Sequence, residues 1–144
     1  MKRKTARENA FYAAFSATFG GMDIAEVIAD SRENDENPVD EFGESLIKGY
    51  FDHAQEIDSL IEEHLKGWTM DRLPRVSLTA LRLALSELLY MPESVPSVVI
   101  NEAVEVTKRF GAEEDYQFVN GVLGVIVRKK ELPDEPESAA SQQE

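Results

Sequence analysis

Four cations, Lys2, Arg3, Lys4 and Arg7, open a chain that otherwise carries far more acid than base. Positive charge clustered this tightly attracts phosphate, and each contact to a single strand adds about 0.7 to the salt slope of binding. If the same residues start a helix, they oppose its dipole by up to about 1 kcal/mol, a penalty that a bound polyanion would offset. Two readings stand at this point: a solvated helix start that needs no ligand, and a phosphate-binding arm. Phe15 lies two helical turns beyond the cluster, where an exposed ring could stack on an unpaired base. Core packing is the default for a phenylalanine in an amphipathic helix. Phe118, beside Gln117 and off the stripe Tyr116, Val119, Leu123, carries the same ambiguity. For it, base stacking requires that it face the side of Arg7.

Bond-making chemistry finds no constellation. His53 and His64 are too many turns apart to be paired ligands on one helix. Neither has glutamate three residues before it, so the Glu-x-x-His pair of carboxylate-bridged bundles is missing, as is His-Glu-x-x-His. FGGMD lacks the lysine and hydroxyl residue of a phosphate loop. Ser16, Ser45, Ser59 and Ser86 lie in helical patterns with no evident base. Without cysteine there is no disulfide framework, thiolate metal site or thiol nucleophile. We expect no enzyme, no metal and no cofactor.

The elements that position these residues read as helices. Ala6, Ala10, Ala13, Ala14 and Ala17 with Phe11, Phe15 and Phe19 recur at helical spacing up to Gly20 and Gly21. Asp23 and Glu26 resemble a capping box for a short second helix, followed by a polar loop over 31–38. Phe42, Leu46 and Tyr50 mark a third helix. Ile57, Leu60, Ile61, Leu65 and Trp68 mark a fourth. Past Pro74, Ser77 is the expected cap of a fifth helix rich in leucine, where Arg82 calls for a carboxylate such as Glu102 or Glu105. Ser97 is the expected cap of a sixth, and Gly111 its left-handed end. Lys108 and Arg109 suit that C-terminal dipole without any ligand. The seventh, about 115–129, is apolar on most sides and is therefore expected in the middle of the domain. Gly121 and Gly124 are expected to let neighbouring helices approach there, and Asn120 to be a satisfied polar group between helices. The reading is an all-α bundle of about seven helices over 1–130, with a disordered acidic tail over 131–144.

At 144 residues and 42% hydrophobic, the chain can bury one real core. A formal charge of −13 argues against coating nucleic acid with the whole surface, but leaves room for a local basic patch. No apolar run approaches the roughly 18 residues of a membrane span, and MKRKTARENAF has no signal-peptide core, so a soluble cytoplasmic protein is expected.

Several stretches together resemble one family. INEAVEVTKRFG followed by FVNGVL is similar to the C-terminal signature of the NusB family. KRKTARENAFYAAF is similar to that family's basic opening, and RVSLTALRLALSELLY to its fifth helix. The resemblance implies two packed three-helix subdomains and a non-enzymatic protein. It implies binding, together with NusE (also a small-subunit ribosomal protein), to the single-stranded boxA element of nascent RNA, notably on ribosomal RNA operons. RNA polymerase in its termination-resistant complex is then a further partner. By position, it assigns RNA contact to Lys2, Arg3, Lys4, Arg7, Phe15, Gln117 and Phe118. Phe15 stands where other members often have tyrosine, Gln117 where some have lysine, and Thr5 interrupts the basic run. Weaker binding to RNA alone, and greater dependence on NusE, are the expected consequences. Monomer and homodimer both stay open. Two alternatives remain: a protein-binding helical scaffold with an incidental basic start, and a detached domain of an RNA methyltransferase system.

Overall fold

The computed structural model describes residues 1–20, 23–34, 36–67 and 69–129; Trp68 and the tail over 131–144 lie outside them. Seven α-helices and one 3-10 turn make up the described residues, with no strand among them: α1 Arg3–Gly20, α2 Ile24–Asn34, α3 Glu41–Asp52, α4 Ala54–Glu62, the turn Met70–Arg72, α5 Arg75–Tyr90, α6 Pro96–Phe110 and α7 Glu113–Arg128.

The helices form two packed cores that share α5. Ala10, Phe11 and Ala13 of α1, Ile28 of α2, Leu46 and Ile47 of α3, and Ala80 and Leu83 of α5 fill the first. Leu81, Leu85 and Leu88 on the other side of α5 meet Val99 and Ala103 of α6 and Val119, Leu123 and Ile126 of α7 in the second. Ile57 and Ile61 of α4 close that second core. The expected pair of three-helix subdomains is therefore α1–α3 against α5–α7.

The central helix is α5 rather than α7. It packs against α1, α3, α4, α6 and α7, and 11 of its 16 residues are buried. The buried face of α7 is Val119, Val122, Leu123 and Ile126, while its surplus apolar residues Phe118 and Val125 line an open groove. Gly121 has open space where a Cβ would stand, and Gly124 meets only Arg128 of its own helix. Close approach happens elsewhere. A Cβ on Gly49 would run into the Ser86 hydroxyl of α5, and one on Gly43 would press on Ala10 of α1 at 3.3 Å. Both glycines belong to α3, which is wedged between α1 and α5.

Several helix ends differ from expectation for local reasons. The loop expected from Ser31 is helical as far as Asn34. Ser31 donates to the Ile28 carbonyl and accepts from the Val39 amide, so its polarity closes a turn instead of breaking the helix. Proline at the first helical position starts α6 at Pro96, ahead of Ser97. Likewise, α5 starts at Arg75, which leaves the Ser77 hydroxyl buried without a partner instead of capping. Gly111 is extended (φ −114°, ψ −174°), not left-handed. A Cβ there would meet the Asp115 carboxylate at 2.8 Å and the Thr107 carbonyl at 3.0 Å, so crowding explains the glycine. Asn120 is exposed. Arg82 pairs with Asp58 of α4 at 3.0 and 3.1 Å, not with Glu102 or Glu105.

Candidate nucleic-acid interface

The N-terminal turn of α1 rests on α3 and α5, and its cations part company there. Arg3 stacks its guanidinium over the Phe42 ring at 4.0 Å. Arg7 turns inward, donating from Nε and Nη2 to the two carboxylate oxygens of Glu87 at 2.9 and 2.7 Å. Its side chain is 15% exposed and that of Glu87 4%. The hydrogen bonds to Glu87 push the guanidinium pKa further up against the opposing effect of burial, which keeps Arg7 charged where it sits. Lys2 is exposed.

Lys4 reaches from α1 toward the middle of α6. Its ammonium lies 3.5 Å from Glu8 and 3.7 Å from Glu102. Arg109, at the end of α6, reaches the other oxygen of the same Glu8 carboxylate at 3.3 Å. One acid thus joins two cations, the second of them, Arg109, 101 residues further along the chain than Glu8 itself.

Rings flank this pair. Phe15 is half-buried and stacks on Phe11 with centroids 5.6 Å apart and planes 8° apart. Phe11 stacks in turn on Phe110 at 5.4 Å. Tyr12 stands 6.4 Å from Phe110, and these two rings are 47% and 38% exposed. Around the α6–α7 turn, the Lys108 ammonium sits 4.8 Å from the Tyr116 ring centroid. Arg109 reads in the sequence as a cation suited to its own helix dipole, and Phe110 and Tyr12 are ordinary in their own helices; only the packing of α6 on α1 brings the three together.

Gln117 and Phe118 lie on α7, next to Tyr116. Gln117 is exposed, and Phe118 is half-buried against the second core. Both line a groove of about 1050 Å³ between α7, the segment before α5 and the end of α4, with Lys66, Arg72, Arg128 and Lys129 on its rim. Arg7 lies instead against the α5–α6 side of α1, beside Glu102 and Val106. The seven residues singled out in the sequence therefore occupy three neighbouring places, and Phe118 does not share a wall with Arg7. His53 and His64 each place Nδ1 3.0 Å from a backbone carbonyl one turn earlier, and no acid–histidine group suited to a metal occurs among the described residues.

The described helices thus bring cations of α1 and α6 beside two exposed rings. The NusB family model matches residues 4–128, and the chain belongs to the NusB family. It is 42% identical over 130 residues to the transcription antitermination protein NusB of Lysinibacillus sphaericus (strain C3-41), covering 90% of this chain and 100% of that protein. Among solved structures, T. maritima NusB superposes with a TM-score of 0.77 at 32% identity, covering 89% of this chain and 92% of that one. A chain from a crystal structure of the antitermination factors NusB and NusE in complex with dsRNA superposes with a TM-score of 0.79 at 32% identity, covering 88% of this chain and 96% of its own. Among the described residues, no helix is long and apolar enough to cross a membrane.

Proposed function

We propose that this protein is a transcription antitermination factor that, with NusE, binds the single-stranded boxA element of nascent RNA, notably on ribosomal RNA operons, and joins the termination-resistant RNA polymerase complex. It works by recognition, without making or breaking a covalent bond, in the bacterial cytoplasm where transcription takes place. The domain spanning 1–130 carries the binding surface, and no cofactor takes part. The observation that carries this reading is the family match over residues 4–128, together with 42% identity over 130 residues to a transcription antitermination protein NusB.

The residues divide the work. Lys2 and Lys4 offer ammonium groups to phosphates, and Arg3, laid on Phe42, offers a guanidinium edge. Arg7, clamped to Glu87, sets the angle at which α1 presents the others. Phe15 meets a base by stacking and Gln117 meets one by hydrogen bonds, while Phe118, which faces the α7 groove and not the side of Arg7, does not meet the condition set for stacking beside the basic arm. The test is fluorescence anisotropy of a labelled boxA-like strand, a scrambled strand and a duplex, across a salt series, with and without NusE. The expected result is preference for the boxA strand that strengthens with NusE; equal binding of boxA and scrambled strands in both conditions would contradict it. A second reading, a protein-binding scaffold without RNA contact, draws support from the carboxylates that neutralise the basic arm: Glu8, Glu87 and Glu102 against Lys4, Arg7 and Arg109. It predicts NusE binding with no RNA signal.

A further inference from the structure

The pairing of Lys4 and Arg109 through one carboxylate has no good explanation in helix stability. Lys4 sits in the first turn of α1, where a cation opposes the dipole. Its i,i+4 partner Glu8 lies C-terminal to it, the less favourable order for such a pair. Both cations are more than half exposed, 56% for Lys4 and 62% for Arg109, so their attraction to Glu8 is weakened by water. Glu102 adds a second carboxylate beside Lys4. Its Oε1 is buried without a hydrogen bond, and at 3.7 Å the ammonium is too far to supply one.

What the arrangement does match is an anion with two oxygens on one centre and a single negative charge. Glu8 presents one oxygen to each cation, Oε2 to Lys4 and Oε1 to Arg109. The two non-bridging oxygens of a phosphodiester offer the same charge and the same fork to an ammonium and a guanidinium. Next to this seat, Tyr12 is one turn beyond Glu8 on α1 and Phe110 follows Arg109 on α6, and both rings are open to solvent. A phosphate and a platform for its base stand side by side.

We propose that Lys4 and Arg109 form one seat for a phosphodiester of a bound single strand, that Tyr12 and Phe110 receive the adjoining base, and that Glu8 fills the seat in the free protein. This rests on the RNA-binding reading above and adds to it a nucleotide station with a built-in competitor. RNA enters by exchange: the phosphate takes both cations, and the Glu8 carboxylate turns out to solvent, leaving a like charge beside the strand. Glu8 thereby lowers affinity for every polyanion, and a strand that also supplies a base for the rings offsets that loss by stacking.

The experiment measures binding of a single-stranded RNA, and of the same strand with abasic positions, to the full chain and to E8Q, E105Q and Y12S, each checked for folding by circular dichroism. Glu105 is the control for charge alone, since it pairs with Lys108 at 3.9 Å on the same helix. E8Q is expected to bind both strands about three- to tenfold tighter, from release of two exposed ion pairs, while E105Q changes affinity less than twofold. Y12S is expected to weaken the base-bearing strand about tenfold, the lower end of a stacking contribution, and leave the abasic strand unchanged. Equal or weaker binding by E8Q overturns the proposal, as does a gain in E105Q matching that in E8Q. If neither the unaltered chain nor E8Q binds RNA, the RNA-binding reading itself fails, and this inference with it.

Discussion

Two acid–base clusters sit a turn apart on α1 and do opposite work. Arg7 and Glu87 are nearly closed off from water and joined by two short hydrogen bonds, whereas Lys4, Glu8 and Arg109 are loosely joined at the surface. The charges are alike and the neighbours are alike; burial separates them. A buried ion pair cannot exchange its partner, because breaking it strands a charge in a low-dielectric interior. An exposed pair gains little from its partner and gives it up readily to a better anion. The inner cluster therefore fixes the angle of α1 on α5, and the outer one is available to a ligand.

The largest expected effect follows from breaking the inner cluster. Glu87→Ala leaves the Arg7 guanidinium buried and unpaired, and should lower unfolding free energy by about 3–5 kcal/mol in denaturant titration. Lys4→Ala or Arg109→Ala should change it by less than about 1 kcal/mol. Equal losses at the two clusters would erase the distinction.

A third polar cluster sharpens the comparison through pH. Tyr50 donates to Asp58 at 3.0 Å, and Arg82 caps the same carboxylate. Burial, chiefly, pushes the Tyr50 hydroxyl up to about 12, with Asp58 adding to it and Arg82 opposing. Since an unfolded tyrosine ionises near 10, the neutral ring contributes stability that is fully present below about pH 10. That contribution is lost as pH rises through about 12. Stability should fall by roughly 1–3 kcal/mol over that window, and Tyr50→Phe should abolish this part of the decline. A decline of unchanged size in the phenylalanine variant would show that another group is responsible.

How far the sequence reads on its own depends on the range of the contact. Helices α1, α3 and α5 announce themselves through apolar spacing, because that signal is local. The central place of α5 does not, since its buried Ser86 and Glu87 are tolerated only through partners 40 and 80 residues away. Conversely, α7 looks central because Phe118 and Val125 are apolar, and a groove rather than a helix faces them. The basic cluster at the N-terminus was legible as charge, but its division into inner and outer halves was not. Arg109, read as a favourable charge on its own helix dipole, became part of the surface only when α6 met α1. Phe118 stood out by lying off the apolar stripe of its helix and Gln117 became a candidate only through family resemblance, and their position on a separate groove was beyond the reach of periodicity.

The central claim is that the outer cations, not the inner one, carry the electrostatic part of RNA binding. Its most direct test is the salt dependence of single-strand RNA affinity for the unaltered chain and for the double variant Lys4→Ala, Arg109→Ala. The account predicts that the slope of log K against log salt falls in magnitude by up to about 1.4, two contacts' worth, while the melting temperature barely moves. A slope unchanged by removing both cations would contradict it.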